Sequence, residues 1–72
     1  MTLRTWWLRN RLDRLDAKLR RLRAEQRQLR KRDDEAAKRR LHDVTEQVHR
    51  LTEEEDRVKA ELAGDAAEAA SA

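Results

Sequence analysis

The sequence predicts an all-α protein: an antiparallel coiled coil folded as a helical hairpin. Three observations lead there. The first is composition: 46% of the 72 residues are charged, aromatics are 3%, and there is one Gly and no Pro, Cys, Phe or Tyr. Sheets need turn residues and β-branched or aromatic strands, whereas this mixture of Ala, Glu, Lys, Leu and Arg is that of long helices. The second is periodicity. Apolar residues recur at alternating steps of 4 and 3, which places them on one helical stripe. The third is charge: residues 1–32 hold twelve Lys+Arg against Asp13, Asp16 and Glu25, a net of +9, while residues 33–72 hold six against twelve acids, a net of −6. Helices side by side in parallel register would stack like charge on like, so antiparallel pairing is favoured.

The first arm carries Leu8, Leu12, Leu15, Leu19, Leu22 and Leu29 in the seam, with Gln26 at the intermediate place. The second carries Leu41, Val44, Val48, Leu51, Val58 and Leu62, beginning at Ala37 and with Glu55 in the stripe. The two stripes are out of phase by one residue between positions 30 and 37, equivalent to a stutter. At that point the chain reads Arg30-Lys31-Arg32-Asp33-Asp34-Glu35. Cations ending one helix and acids opening the next suit the helix dipole at both ends, and Asp33 or Asp34 suits an N-cap. A hairpin with arms at about 3–31 and 34–63 is therefore expected. The competing form is one long helix in an antiparallel dimer, supported by the lack of Gly or Pro at the break. The chain divides into a helical region at 1–63, with a basic arm 1–32 and an acidic arm 33–63, and a flexible Ala-rich tail at 64–72. Gly64 is read as the helix stop.

Contacts whose residue numbers sum to 66 bring Leu22 to Val44, Leu15 to Leu51 and Leu8 to Val58. The same arithmetic predicts ion pairs Arg11–Glu55, Arg20–Glu46, Arg23–Asp43 and Asp16–Arg50. A two-stranded seam this thin is marginal alone, so self-association or docking on a partner is expected.

The most unusual feature is a tryptophan pair. Leu3, Trp6 and Trp7 stand at i, i+3 and i+4, one small helical patch on roughly the opposite side from the Leu stripe, with Arg4, Arg11 and Arg14 around it. Contact with a second copy or with the end of the second helix near Leu62 is the preferred reading. Docking on another protein, interfacial membrane anchoring and base stacking follow. Trp and Arg dominate interface energetics.

Other features carry less. The density of Arg and Lys on the first arm could track a phosphate backbone, but no DNA-reading motif accompanies it. His42, Glu46 and His49 share a helical face, which reads as solvated surface rather than a zinc site. Thr52-Glu53-Glu54-Glu55 matches a capping box but lies inside a continuing stripe, so it reads as helix surface. No nucleophile–base pair, phosphate loop or pocket-forming length is present, so no enzyme, cofactor or metal is expected. The start lacks the apolar core of a signal peptide, and a cytoplasmic setting is expected. The predicted function is self-assembly or a docking and adaptor role, with a second copy or a larger protein as partner. The alternative is a basic helical protein that binds nucleic acid without sequence specificity, of packaging or nucleoid type, including phage-encoded ones. A membrane partner is disfavoured.

Overall fold

The structure, a computed structural model, describes residues 2–71. It is a two-helix hairpin, α1 (Leu3–Arg30) followed by α2 (Glu35–Ser71), with no strand among the described residues. The arms pack along their length into a rod of 57 × 15 × 13 Å.

α1 starts at Thr2, whose side-chain oxygen accepts from the Thr5 N–H at 3.2 Å. It ends as the ladder tightens: Lys31 N–H donates to Gln28 C=O at 3.2 Å and Arg32 N–H to Leu29 C=O at 3.1 Å, three-residue bonds that satisfy the last carbonyls. Asp34 then caps α2. Its carboxylate accepts from the Ala37 N–H at 3.3 Å and takes the Arg32 guanidinium at 3.1 and 3.2 Å. No described residue adopts positive φ. The chain therefore reverses without Gly, by ending one helix and capping the next.

The seam forms two apolar clusters. Leu22, Leu29, Ala37 and Val44 make one, flanked by Leu41, Val48 and Leu51; Leu8, Leu15 and Val58 make the other, flanked by Leu12, Leu51 and Leu62. Leu19 is also buried. The clusters hold Leu22 with Val44, Leu29 with Ala37, and Leu8 with Val58, the grouping that numbers summing to 66 require. The polar seam residues are accommodated unequally. Gln26 donates to Thr45 Oγ1 at 3.0 Å, and the Thr45 and Thr52 hydroxyls donate to the Leu41 and Val48 carbonyls, each at 2.7 Å. Glu55 is less well served. One oxygen lies 2.9 Å from Lys59 Nζ, while the other is buried without a hydrogen bond.

Two expectations are corrected. Helix α2 does not stop at Gly64; it runs on to Ser71. Gly64 lacks the positive φ of a C′ glycine, and the Ala and Glu that follow are good helix formers. Asp65 continues the seam stripe by one more step and pairs with Arg4 at 3.6 Å, which ties the end of α2 to the start of α1. The segment expected as a flexible tail at 64–72 is thus helical through residue 71; Ala72 lies outside the described residues.

The expected ion pairs also change. Arg11 pairs with Glu54, not Glu55. Arg20 and Asp16 pair with each other at 3.2 Å, and Glu46 pairs with His42 at 3.3 Å, so neither Arg20–Glu46 nor Asp16–Arg50 forms. Arg23 and Asp43 make no ion pair. Position relative to the seam explains this. In a heptad, cross-helix charge pairs form between residues directly flanking the stripe. Arg11 and Glu54 flank it on the same edge, as do Glu25 and Arg40, which pair at 2.7 Å. Glu46, Asp43 and Arg50 stand further out and are exposed.

Folding also redistributes the charge. The basic arm is not neutralised evenly by the acidic arm. Residues 20–46, which the register places at the closed end, hold ten cations against six acids, a net of +4; the remainder is −1. Folding converts an arm-to-arm asymmetry into one along the rod.

Candidate docking surface

The first two turns of α1 position the patch. The seam stripe commits Leu8 and Leu12 to α2, so residues some 140° away on the helix face outward at 100° per residue. Leu3, Trp6 and Trp7 occupy that face and are 82%, 55% and 52% exposed. Among the described residues they are the exposed large apolar side chains, while the other leucines and the valines are buried or half-buried. Neither Trp is buried against the end of α2.

The surrounding arginines differ in what they do. Arg11 lies over the Trp7 ring, 5.5 Å from its centroid, while its guanidinium also donates to Glu54 of α2. A cation over an aromatic face contributes about 0.5–1 kcal/mol at exposed sites. Arg4 pairs with Asp65. Both contacts join α1 to α2 near the patch and fasten its base to the hairpin. Arg14 is exposed and has no ion-pair partner. On another side of the open end, a shallow groove is lined by Thr2, Thr5, Arg9, Leu62 and Ala66. It exists because α2 continues past Gly64.

At the closed end the cations are mostly unpaired. Arg20, Arg32 and Arg40 have carboxylate partners, and the Glu25 hydrogen bond raises the Arg40 pKa further above its ordinary value. Arg23, Gln26, Arg27 and Arg30 line a shallow open groove.

His42 and Glu46 meet, and His49 is exposed on the same helix. No group of three or more metal-ligating side chains occurs among the described residues, and no helix is long and apolar enough to cross a membrane. Sequence reasoning located the Trp patch and its arginines. It missed the Thr2 cap, the Arg4–Asp65 tie and the double use of Arg11. Asp65 could have been found, since the 4-3 spacing of α2 reaches it from Val58 and Leu62. No known family model, curated protein or solved structure matches the chain.

Proposed function

We propose that this protein is a small, non-enzymatic coiled-coil hairpin that works by self-assembly or docking, with Leu3, Trp6 and Trp7 as its contact surface. One observation carries the reading: two tryptophans and a leucine stand exposed on a hairpin that, among the described residues, buries its other large apolar side chains wholly or in part. Each Trp can bury roughly 150–250 Å². The patch thus supplies the centre of an interface that ordinarily takes about 800 Å² per partner.

A second copy is the favoured occupant. The open end carries unpaired Arg14 on α1 and unpaired Glu53, Asp56 and Glu61 on α2. A copy turned about a two-fold axis offers each sign its complement, as a self-complementary interface requires. A cytoplasmic setting belongs to the same proposal.

Sedimentation across a concentration series tests it. The wild-type chain should associate as concentration rises. Trp6→Ala with Trp7→Ala should stay monomeric while keeping its helical circular dichroism. Trp emission should be red and open to iodide in the dilute chain, then shift blue on association. Identical sedimentation of the two proteins, or protected blue emission from the monomer, would reject the proposal.

A further inference from the structure

We infer that the closed end of the hairpin is a second contact surface, one that binds the phosphate backbone of a nucleic-acid duplex without reading its sequence. Among the described residues, Arg21, Arg23, Arg27 and Arg30 on α1, Lys31 in the turn, and Lys38 and Arg39 on α2 have no ion-pair partner, and all seven are exposed. Asp33, Glu35 and Asp43 are the acids nearby without one. Seven cations facing three free acids leave a positive excess, and it belongs to the fold. In the linear chain Lys38 and Arg39 sit in the acidic arm; the turn at residues 31–34 folds them back beside Arg27 and Arg30.

The edges of the seam explain why Arg23, Arg30 and Lys38 find no partner within the chain; Arg21, Arg27, Lys31 and Arg39 stand further out from the seam. On one edge Arg11 meets Glu54 and Glu25 meets Arg40. On the other, the flanking positions are Arg23 and Arg30 on α1 with Thr45 and Lys38 on α2. That edge offers no carboxylate at the closed end. The groove lined by Arg23, Gln26, Arg27 and Arg30 opens there.

The chemistry of the partner follows from what else the closed end has and lacks. It has seven free cations, more than one small anion can engage, spread over nearly three turns of α1, the turn and the first turns of α2, so the match is a repeating anion. A duplex carries one phosphate charge per about 1.7 Å of axis. The closed end has no exposed large apolar side chain to enter a bilayer, which basic amphipathic helices use to hold a membrane. The exposed Leu3, Trp6 and Trp7 lie at the opposite end, roughly 30 Å along α1 from Arg27 at 1.5 Å per residue. It also has no aromatic ring on which unpaired bases would stack. Backbone contact to a duplex remains, and such contact positions a protein without specifying sequence.

The test is fluorescence anisotropy with the full chain and two labelled 20-base-pair duplexes of unrelated sequence, over a salt series. Both duplexes should bind alike, with a log K against log salt slope of about −6 if all seven cations engage. Arg27→Gln/Arg30→Gln/Lys31→Gln should reduce the slope by about 3 and the affinity roughly 10²–10³-fold at 0.1 M salt. Lys38→Gln/Arg39→Gln, on the other arm, should reduce the slope by about 2. Helical circular dichroism should persist in each. Arg9→Gln/Arg14→Gln/Arg57→Gln removes the same number of unpaired cations away from the closed end and should change little. Trp6→Ala with Trp7→Ala should leave the slope unchanged, so failure of this inference and failure of the docking proposal read out separately. The inference is overturned by three results: no duplex binding at 50 mM salt, equal loss in the Arg9/Arg14/Arg57 variant, or binding to phosphatidylglycerol vesicles without binding to duplex.

Discussion

Arg11 on α1 and Glu54 on α2 form an ion pair across the hairpin while the same guanidinium covers the Trp7 ring. One side chain thereby links the edges of the two arms and braces the contact patch. The pair is partly exposed, so its contribution is modest, about 0.2–1 kcal/mol.

Charge reversal checks that link. Arg11→Glu should lower stability by a few tenths to about 1 kcal/mol. Adding Glu54→Arg should restore part of the loss, and adding Glu55→Arg should not, because Glu55 points into the seam and engages Lys59. Urea melts of the two double variants decide it: equal recovery by both would contradict the edge assignment.

Glu55 is the polar residue the seam serves worst. Its side chain is 15% exposed, and one oxygen is buried without a hydrogen bond. Glu55→Leu should therefore raise stability by about 1–2 kcal/mol through apolar burial and removal of the orphaned oxygen. That gain exceeds the few tenths lost with the Lys59 pair. For a chain this short the melting temperature should rise by roughly 4–8 °C per kcal/mol. A lower melting temperature would show that the carboxylate is satisfied in solution.

The same pair gives an alkaline signature. The hydrogen bond to Glu55 raises Lys59 above its ordinary pKa of 10.5. A cation whose folded pKa is raised contributes stability in full below the unfolded value and loses it as pH climbs through the folded one. Wild-type stability should thus fall above about pH 10.5 by slightly more than that of Glu55→Leu. Parallel thermal melts from neutral to alkaline pH measure the difference.

Asp34 holds the turn by two separable contacts. Asp34→Ala removes both the cap on the Ala37 N–H and the grip on Arg32, and should cost about 1 kcal/mol. Asp34→Asn keeps a cap oxygen and gives up the charge, so it should cost less. Equal losses in chemical melts would mean that Arg32, not the cap, secures the turn.

Gly64 is a helical residue with nothing within 4 Å of where a Cβ would stand, and its φ is not positive. Gly64→Ala should consequently strengthen the last turns of α2 by roughly 0.5–1 kcal/mol. Helical ellipticity should increase. A decrease would restore Gly64 to the helix-stop role that its position after Leu62-Ala63 suggests.

The tertiary core offers the last contrast. Val44 is fully buried and Leu41 only partly. Val44→Asp strands a charge in the apolar cluster and should abolish cooperative melting. Leu41→Asp leaves its carboxylate access to water and should weaken melting without abolishing it. Indistinguishable melts would contradict the packing.

The helical class and both seam stripes were legible in the sequence, because 3.6-residue periodicity is a local property of side-chain order. So were the break near residues 31–34 and the outward Trp patch, since helix dipole, cap chemistry and helical angle are set within a few residues. Gly64 misled because a local C′ signal competes with tertiary contact: the Arg4–Asp65 pair and the continued stripe hold α2 helical beyond it. The ion pairs were misplaced because residue-number symmetry says which turns meet but not which edge of each helix faces the other. That depends on rotation about both helix axes, which only packing of the two seams decides. The basic closed end is of the same kind: the turn brings Lys38 and Arg39 from the acidic half of the chain beside Arg27 and Arg30. The sequence alone determined the helices, their stripes and the charge of each arm, while the tertiary structure decided which charges cancel and which remain free, because Coulomb interactions depend on distance through space and not along the chain.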